Sequence, residues 1–128
     1  MKQVVITNNP KTAEYIERQY KEQYGDTEAA HIELVRCVSR EELYIRVRDY
    51  IHRHWKLQNH AMYGNIQLYK QPYRSMWLTE GDTLDIASLR LWEHAMELAS
   101  RSCLPNYSEK VLEDFQALDF SLFSSIVT

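Results

Sequence analysis

Three short polar runs carry residues that could together hold a small anion: Thr7-Asn8-Asn9, the single His60, and Tyr73-Arg74-Ser75. A guanidinium binds carboxylate or phosphate through two parallel hydrogen bonds, and amides and hydroxyls complete the shell. If a substrate were turned over there, His60 would act as general acid or base while Arg74 held the anion. No second convincing acid, base or nucleophile stands near these positions in the sequence, so the catalytic role stays unassigned. A plainer reading competes. Asn8-Asn9-Pro10 is also ordinary strand-to-helix turn chemistry, and a lone histidine more often makes structural hydrogen bonds than it catalyses.

Other candidates give less. His52, His54 and His60 could suggest a metal, but on a helix residues two apart point to opposite sides, so His52 and His54 cannot share an ion while the helix persists; no metal and no cofactor is expected. Arg46, Arg48, Arg53 and Lys56 crowd one stretch and suit the negative end of a helix dipole, with an acidic partner surface as the alternative. Cys37 and Cys103 are far apart and lack paired metal or redox spacing, so both are expected reduced and Cys37 is expected in the core. The nine tyrosines are expected mostly at core edges, with their hydroxyls in water.

The elements that must position these residues read as follows. Gln3 to Asn8 is a continuous β-branched run, the pattern of a strand buried on both faces. Pro10 suits the first turn of a helix over Lys11 to Tyr24, closed by Gly25. A second strand covers Ile32 to Val38. Ser39 and Glu42 have capping-box spacing and open a helix with the stripe Leu43, Tyr44, Val47, Tyr50, Ile51 and Trp55. Lys56 to His60 and Pro72 to Thr79 read as strands. The eleven residues Ala61 to Gln71 are short for a parallel crossover, which favours an antiparallel return. Helices follow over Asp85 to Ser100 and, capped by Ser108, along the stripe Val111, Phe115, Leu118 and Leu122.

This order predicts an α/β three-layer sandwich with a small, mainly parallel sheet, the first strand central between the second and third, and an extra carboxyl-terminal helix. Ligands in such sheets bind beyond the carboxyl ends of the strands, where all three polar runs would meet. The helix after Pro10 would add backbone N–H groups. Phe120 and Phe123 leave the last helix at angles outside its stripe. They are expected either to meet a second copy in a homodimer or to slot between elements of the same chain.

At 128 residues and 15.3 kDa the chain is expected to form one domain, burying about two-thirds of its extended surface. A net charge of -3 and a pI near 5.9 leave no basic footprint, which argues against nucleic-acid and polybasic membrane-surface partners. No apolar run spans a bilayer, and the amino end reads as a strand instead of a signal peptide; a cytoplasmic location is expected.

Several short motifs taken in order carry a resemblance. Val4 to Pro10 (VVITNNP), Asp49 to His52 (DYIH), Lys56 to His60 (KLxxH), Gly64, Pro72 to Ser75 (PYRS) and Leu84 to Leu89 (LDxxSL) resemble the GrdX family over roughly residues 3 to 98. The sequence departs from that pattern at two points, where a glycine near His54 and a proline in place of Ala61 would be expected. The resemblance implies a small cytoplasmic protein associated with the glycine, sarcosine and betaine reductase systems of anaerobic bacteria. It implies no catalytic residues. The expected role is therefore a non-catalytic accessory protein that binds a small anion or a reductase component. An enzyme using His60 and a pure assembly module are the alternatives.

Overall fold

The β-branched run at the amino end forms β1 (Gln3–Thr7), in which Val4, Val5 and Ile6 are completely buried. A strand apolar on both faces needs a layer on each side. The computed structural model, which describes residues 2–20, 32–59, 71–101 and 103–127, supplies both. After β1 come α1 (Pro10–Glu14, continued by a wider π-type turn over Tyr15–Tyr20), β2 (Ile32–Arg36), α2 (Arg40–His52), β3 (Trp55–Leu57), β4 (Ser75–Glu80), α3 (Ile86–Ser100) and α4 (Glu109–Val127). On one face Val4, Ile6, Met76 and Leu78 pack under α2 and α3; on the other, Val5 and Ile32 meet Tyr15, Ile16 and Phe123.

The strand order is β2-β1-β4-β3. β1 pairs parallel with β2, while β4 runs antiparallel to both β1 and β3. The sheet is thus mixed, which corrects the mainly parallel expectation. The antiparallel return favoured before Pro72 is what makes it mixed, since β4 lies between β1 and β3 and runs opposite to both. β1 is an interior strand, and its second neighbour is β4, where the expectation had the third strand.

Local chemistry fixes the helix ends. Asn9 caps α1 by accepting from the Lys11 N–H at 3.1 Å, and Ser39 caps α2 through the Glu42 N–H at 3.1 Å. Glu42 reaches back to the Val38 N–H at 3.2 Å, one residue outside the standard box. Asp85 caps α3 through the Ser88 N–H at 3.0 Å. α2 ends in a left-handed residue, His54, with φ 75°. Its carbonyl accepts from the Gly81 N–H at 3.0 Å. A Cβ at position 81 would lie 2.7 Å from that oxygen, so glycine is required there by close approach.

α4 is rotated from the expected stripe. Val111 is exposed, whereas Asp119 and Phe123 are the most deeply buried side chains. The Phe120 ring meets Tyr15 edge-on at 5.3 Å between centroids. Phe123 therefore needs no second surface, and the argument that raised a homodimer loses its main support. Among the described residues no helix is long and apolar enough to cross a membrane.

Candidate functional site

The antiparallel pairing of β1 with β4 sets Thr7 opposite Ser75. It thereby brings Thr7, Asn8, Asn9, Tyr73, Arg74 and Ser75 to one end of the sheet, beyond the carboxyl end of β1. Asn8 joins the two segments. Its Nδ2 donates to the Pro72 carbonyl at 2.8 Å and its Oδ1 accepts from the Arg74 N–H at 2.9 Å. The Arg74 carbonyl accepts from Thr7 Oγ1 at 3.1 Å. His60 lies outside the described residues; Asn59 before it is buried and pins β4 by donating to the Ser75 carbonyl at 2.9 Å and accepting from the Trp77 N–H at 2.8 Å.

Side chains alternate along a strand, so neighbours at this edge leave on opposite faces. Ser75 faces α1 and α4. Its hydroxyl donates to Asp119 Oδ2 at 2.7 Å and lies 2.8 Å from Thr7 Oγ1 and 2.9 Å from Thr12 Oγ1. Asn9 Nδ2 donates to the same carboxylate oxygen and to the Gln116 carbonyl, both at 2.9 Å, and Gln116 Nε2 donates to the Tyr73 hydroxyl at 2.9 Å. A hydroxyl 2.7 Å from a carboxylate has the spacing of a nucleophile and its base. Ser75 is nevertheless 0% exposed and Asp119 2%, so the pair is closed to substrate. These contacts form a polar clasp that ties α4 to β1 and β4.

Arg74 leaves on the face of Ile6 and Met76, under α2. It is completely buried, contrary to its reading as an exposed anion clamp; the β4 alternation, with Met76 two residues on, turns it inward. Its guanidinium and that of Arg40, which is 5% exposed, lie close enough to act on the Tyr44 phenol. Burial pushes the Tyr44 hydroxyl above its ordinary acidity range, and the Arg74 and Arg40 charges work against that rise. The edge is thus divided into a neutral and acidic clasp under α4 and two buried arginines beside Tyr44 under α2.

Between the ends of β1 and β2 a shallow groove of about 220 Å³ runs past Asn8, Pro10, Arg36 and Cys37. Cys37 is buried as expected, and burial together with Glu42 pushes its thiol up to about 11, with Arg46 opposing. No cluster of three or more histidine, cysteine or acidic side chains among the described residues is arranged to hold a metal.

Asp119 and Arg40 escaped the sequence reasoning. An acid inside an amphipathic helix reads as a solvent-facing residue, yet Asp119 is the sole charge between Phe115 and Thr128, and that isolation is a signal for burial with partners. Arg40 follows a cap and reads as an ordinary first-turn residue.

The comparisons agree with the motif order from Val4 to Leu89. No curated protein and no solved structure matches the chain. The model of the GrdX-like protein family matches residues 4–128, which takes in the polar edge, both buried arginines and the whole of α4, and the chain belongs to that family.

Proposed function

We propose that this GrdX-like chain is a single-domain, non-catalytic accessory protein of the cytoplasm that binds a small anion at the carboxyl edge of its sheet, in the service of an amino-acid reductase system. The observation that carries this reading is the antiparallel pairing of β1 with β4, which sets Thr7 opposite Ser75 and gathers the two polar runs at the carboxyl end of β1. Ligands in open α/β sheets bind beyond the carboxyl ends of the strands, and amides, hydroxyls and a guanidinium gathered there favour an anion. The clasp supports holding over turnover, because Thr7, Asn9 and Ser75 spend their polar atoms on one another and on Asp119.

The test is a thermal-shift screen of wild type and Arg74→Lys against small carboxylates and inorganic phosphate. A ligand at a hundred times its Kd stabilises by about 2.7 kcal/mol, a rise of several degrees in Tm. Arg74→Lys keeps the charge, loses the planar fork, and is expected to lose most of that rise. A screen in which no anion raises Tm sets the reading aside in favour of an assembly module.

A further inference from the structure

We propose that Asp119 is the resident occupant of a carboxylate site at the carboxyl edge of the sheet, and that α4 is a strap which a short free carboxylate displaces. This deepens the small-anion reading and rests on it. The donors that meet at Asp119 come from two runs far apart in sequence: the Ser75 hydroxyl at 2.7 Å and the Asn9 amide at 2.9 Å, both on Oδ2. Behind them the Thr7 and Thr12 hydroxyls lie 2.8 Å and 2.9 Å from Ser75 Oγ. A charge that is only 2% exposed is held by hydrogen bonds aimed at it. The class of ligand follows from what already fills the place, a planar carboxylate.

α4 is joined to the rest of the chain in two different ways. Among the described residues it gives the two apolar clusters only Phe120 and Phe123, which follow Asp119 in the helix. Ahead of these rings the ties are polar. Asn9 donates to Asp119 and to the Gln116 carbonyl, and Gln116 Nε2 donates to the Tyr73 hydroxyl at 2.9 Å. The segment leading into the helix packs on the helix itself, with the Tyr107 and Phe115 rings 5.0 Å apart. On the other flank a groove of about 320 Å³, floored by Tyr15 and Phe120, parts α4 from α1. Asp119 and Phe123 share one face a single turn apart, so a pivot on Phe123 carries Asp119 away from its donors while the apolar anchor stays seated. Elements with few buried apolar contacts are the ones that open below the cost of global unfolding.

The exchange is close to balanced. A free carboxylate returns to Ser75 and Asn9 the two hydrogen bonds that Asp119 gives up, and Asp119 regains its hydration outside. The tether opposes it, because an acid on the same chain is present at high effective concentration. A free acid therefore binds with its intrinsic affinity multiplied by the fraction of molecules in which the strap is open. Gln116 leaves Tyr73 in the same movement, so occupancy of the edge is converted into the position of α4.

The experiment titrates the full chain, Asp119→Ala and Asp119→Asn with formate, acetate and inorganic phosphate, following backbone amide resonances and Tm. In the wild type, acetate should shift the Ser75, Gln116 and Ala117 amides saturably and leave that of Phe123 in place. Asp119→Ala removes the competitor and should bind acetate at least about tenfold more tightly, with saturating acetate restoring at least about half of the Tm it loses. Asp119→Asn keeps an acceptor and should lie between the two; it replaces Asp119→Ala if that variant does not fold. Acetate binding equally tight in all forms overturns the strap. So does binding by the variants alone, which makes Asp119 a permanent tie. Binding abolished by Arg74→Lys but indifferent to position 119, or of phosphate only, overturns the strap and keeps the small-anion reading. No anion bound by any form overturns both.

Discussion

At Asp119 one carboxylate oxygen receives the Ser75 hydroxyl and the Asn9 amide. Asp119→Ala strands both donors in a buried site, and a loss of about 1–3 kcal/mol for each is expected in urea unfolding. Asp119→Ser, which restores an acceptor, should recover part of it. Tyr44 is the pH-sensitive counterpart on the other face. Its acidity is weakened by burial in the folded chain, so its contribution is fully present below the unfolded tyrosine value near 10 and is lost as pH rises through the higher folded value. Tyr44→Phe should therefore flatten part of the alkaline fall in Tm, and identical alkaline limbs would contradict the assignment. Cys37, pushed up to about 11 by burial, should be alkylated far more slowly at pH 8 than the exposed Cys103. At this scale the sequence displayed residue types well and side-chain direction poorly. Arg74 was legible as a member of the edge, but its inward turn depends on the β4 register.

Elements show the reverse balance. The β1 run, the Ser39 cap and the Asp85-led helix were plain from pattern because each is dictated by local chemistry. The face of α4 was not, since its burial is decided by a polar clasp formed with residues more than a hundred positions away in sequence, at Asn9. The turn after α2 gives the sharpest test of an element. His54 occupies left-handed backbone, φ 75°, at the place where the family resemblance leads one to expect a glycine. His54→Gly should raise stability by up to about 1 kcal/mol. Gly81→Ala should lower it, because its Cβ would press on the His54 carbonyl from 2.7 Å. Equal and neutral effects would show that the turn relaxes freely.

For the molecule as a whole, α4 is part of the core: Phe123 is 1% exposed. Phe123→Ala is expected to cost about 3–5 kcal/mol by calorimetry, and Phe123→Asp to unfold the chain; a folded, monomeric Phe123→Asp would restore the case for a symmetric dimer. The α/β class was legible because strands alternate with helices along the chain, and the meeting of Thr7-Asn8-Asn9 with Tyr73-Arg74-Ser75 because an antiparallel return starts at the end where β1 finishes. The mixed pairing depended on β4 inserting between β1 and β3. The central claim, a small anion held at the carboxyl edge of the sheet, is tested most directly by NMR of the arginine side chains during titration with small carboxylates and with inorganic phosphate. The account predicts that the Arg74 Nε–H resonance shifts and saturates, while those of the exposed Arg18 and Arg101 stay in place. Saturable shifts at the exposed arginines alone, with Arg74 unmoved, would contradict it.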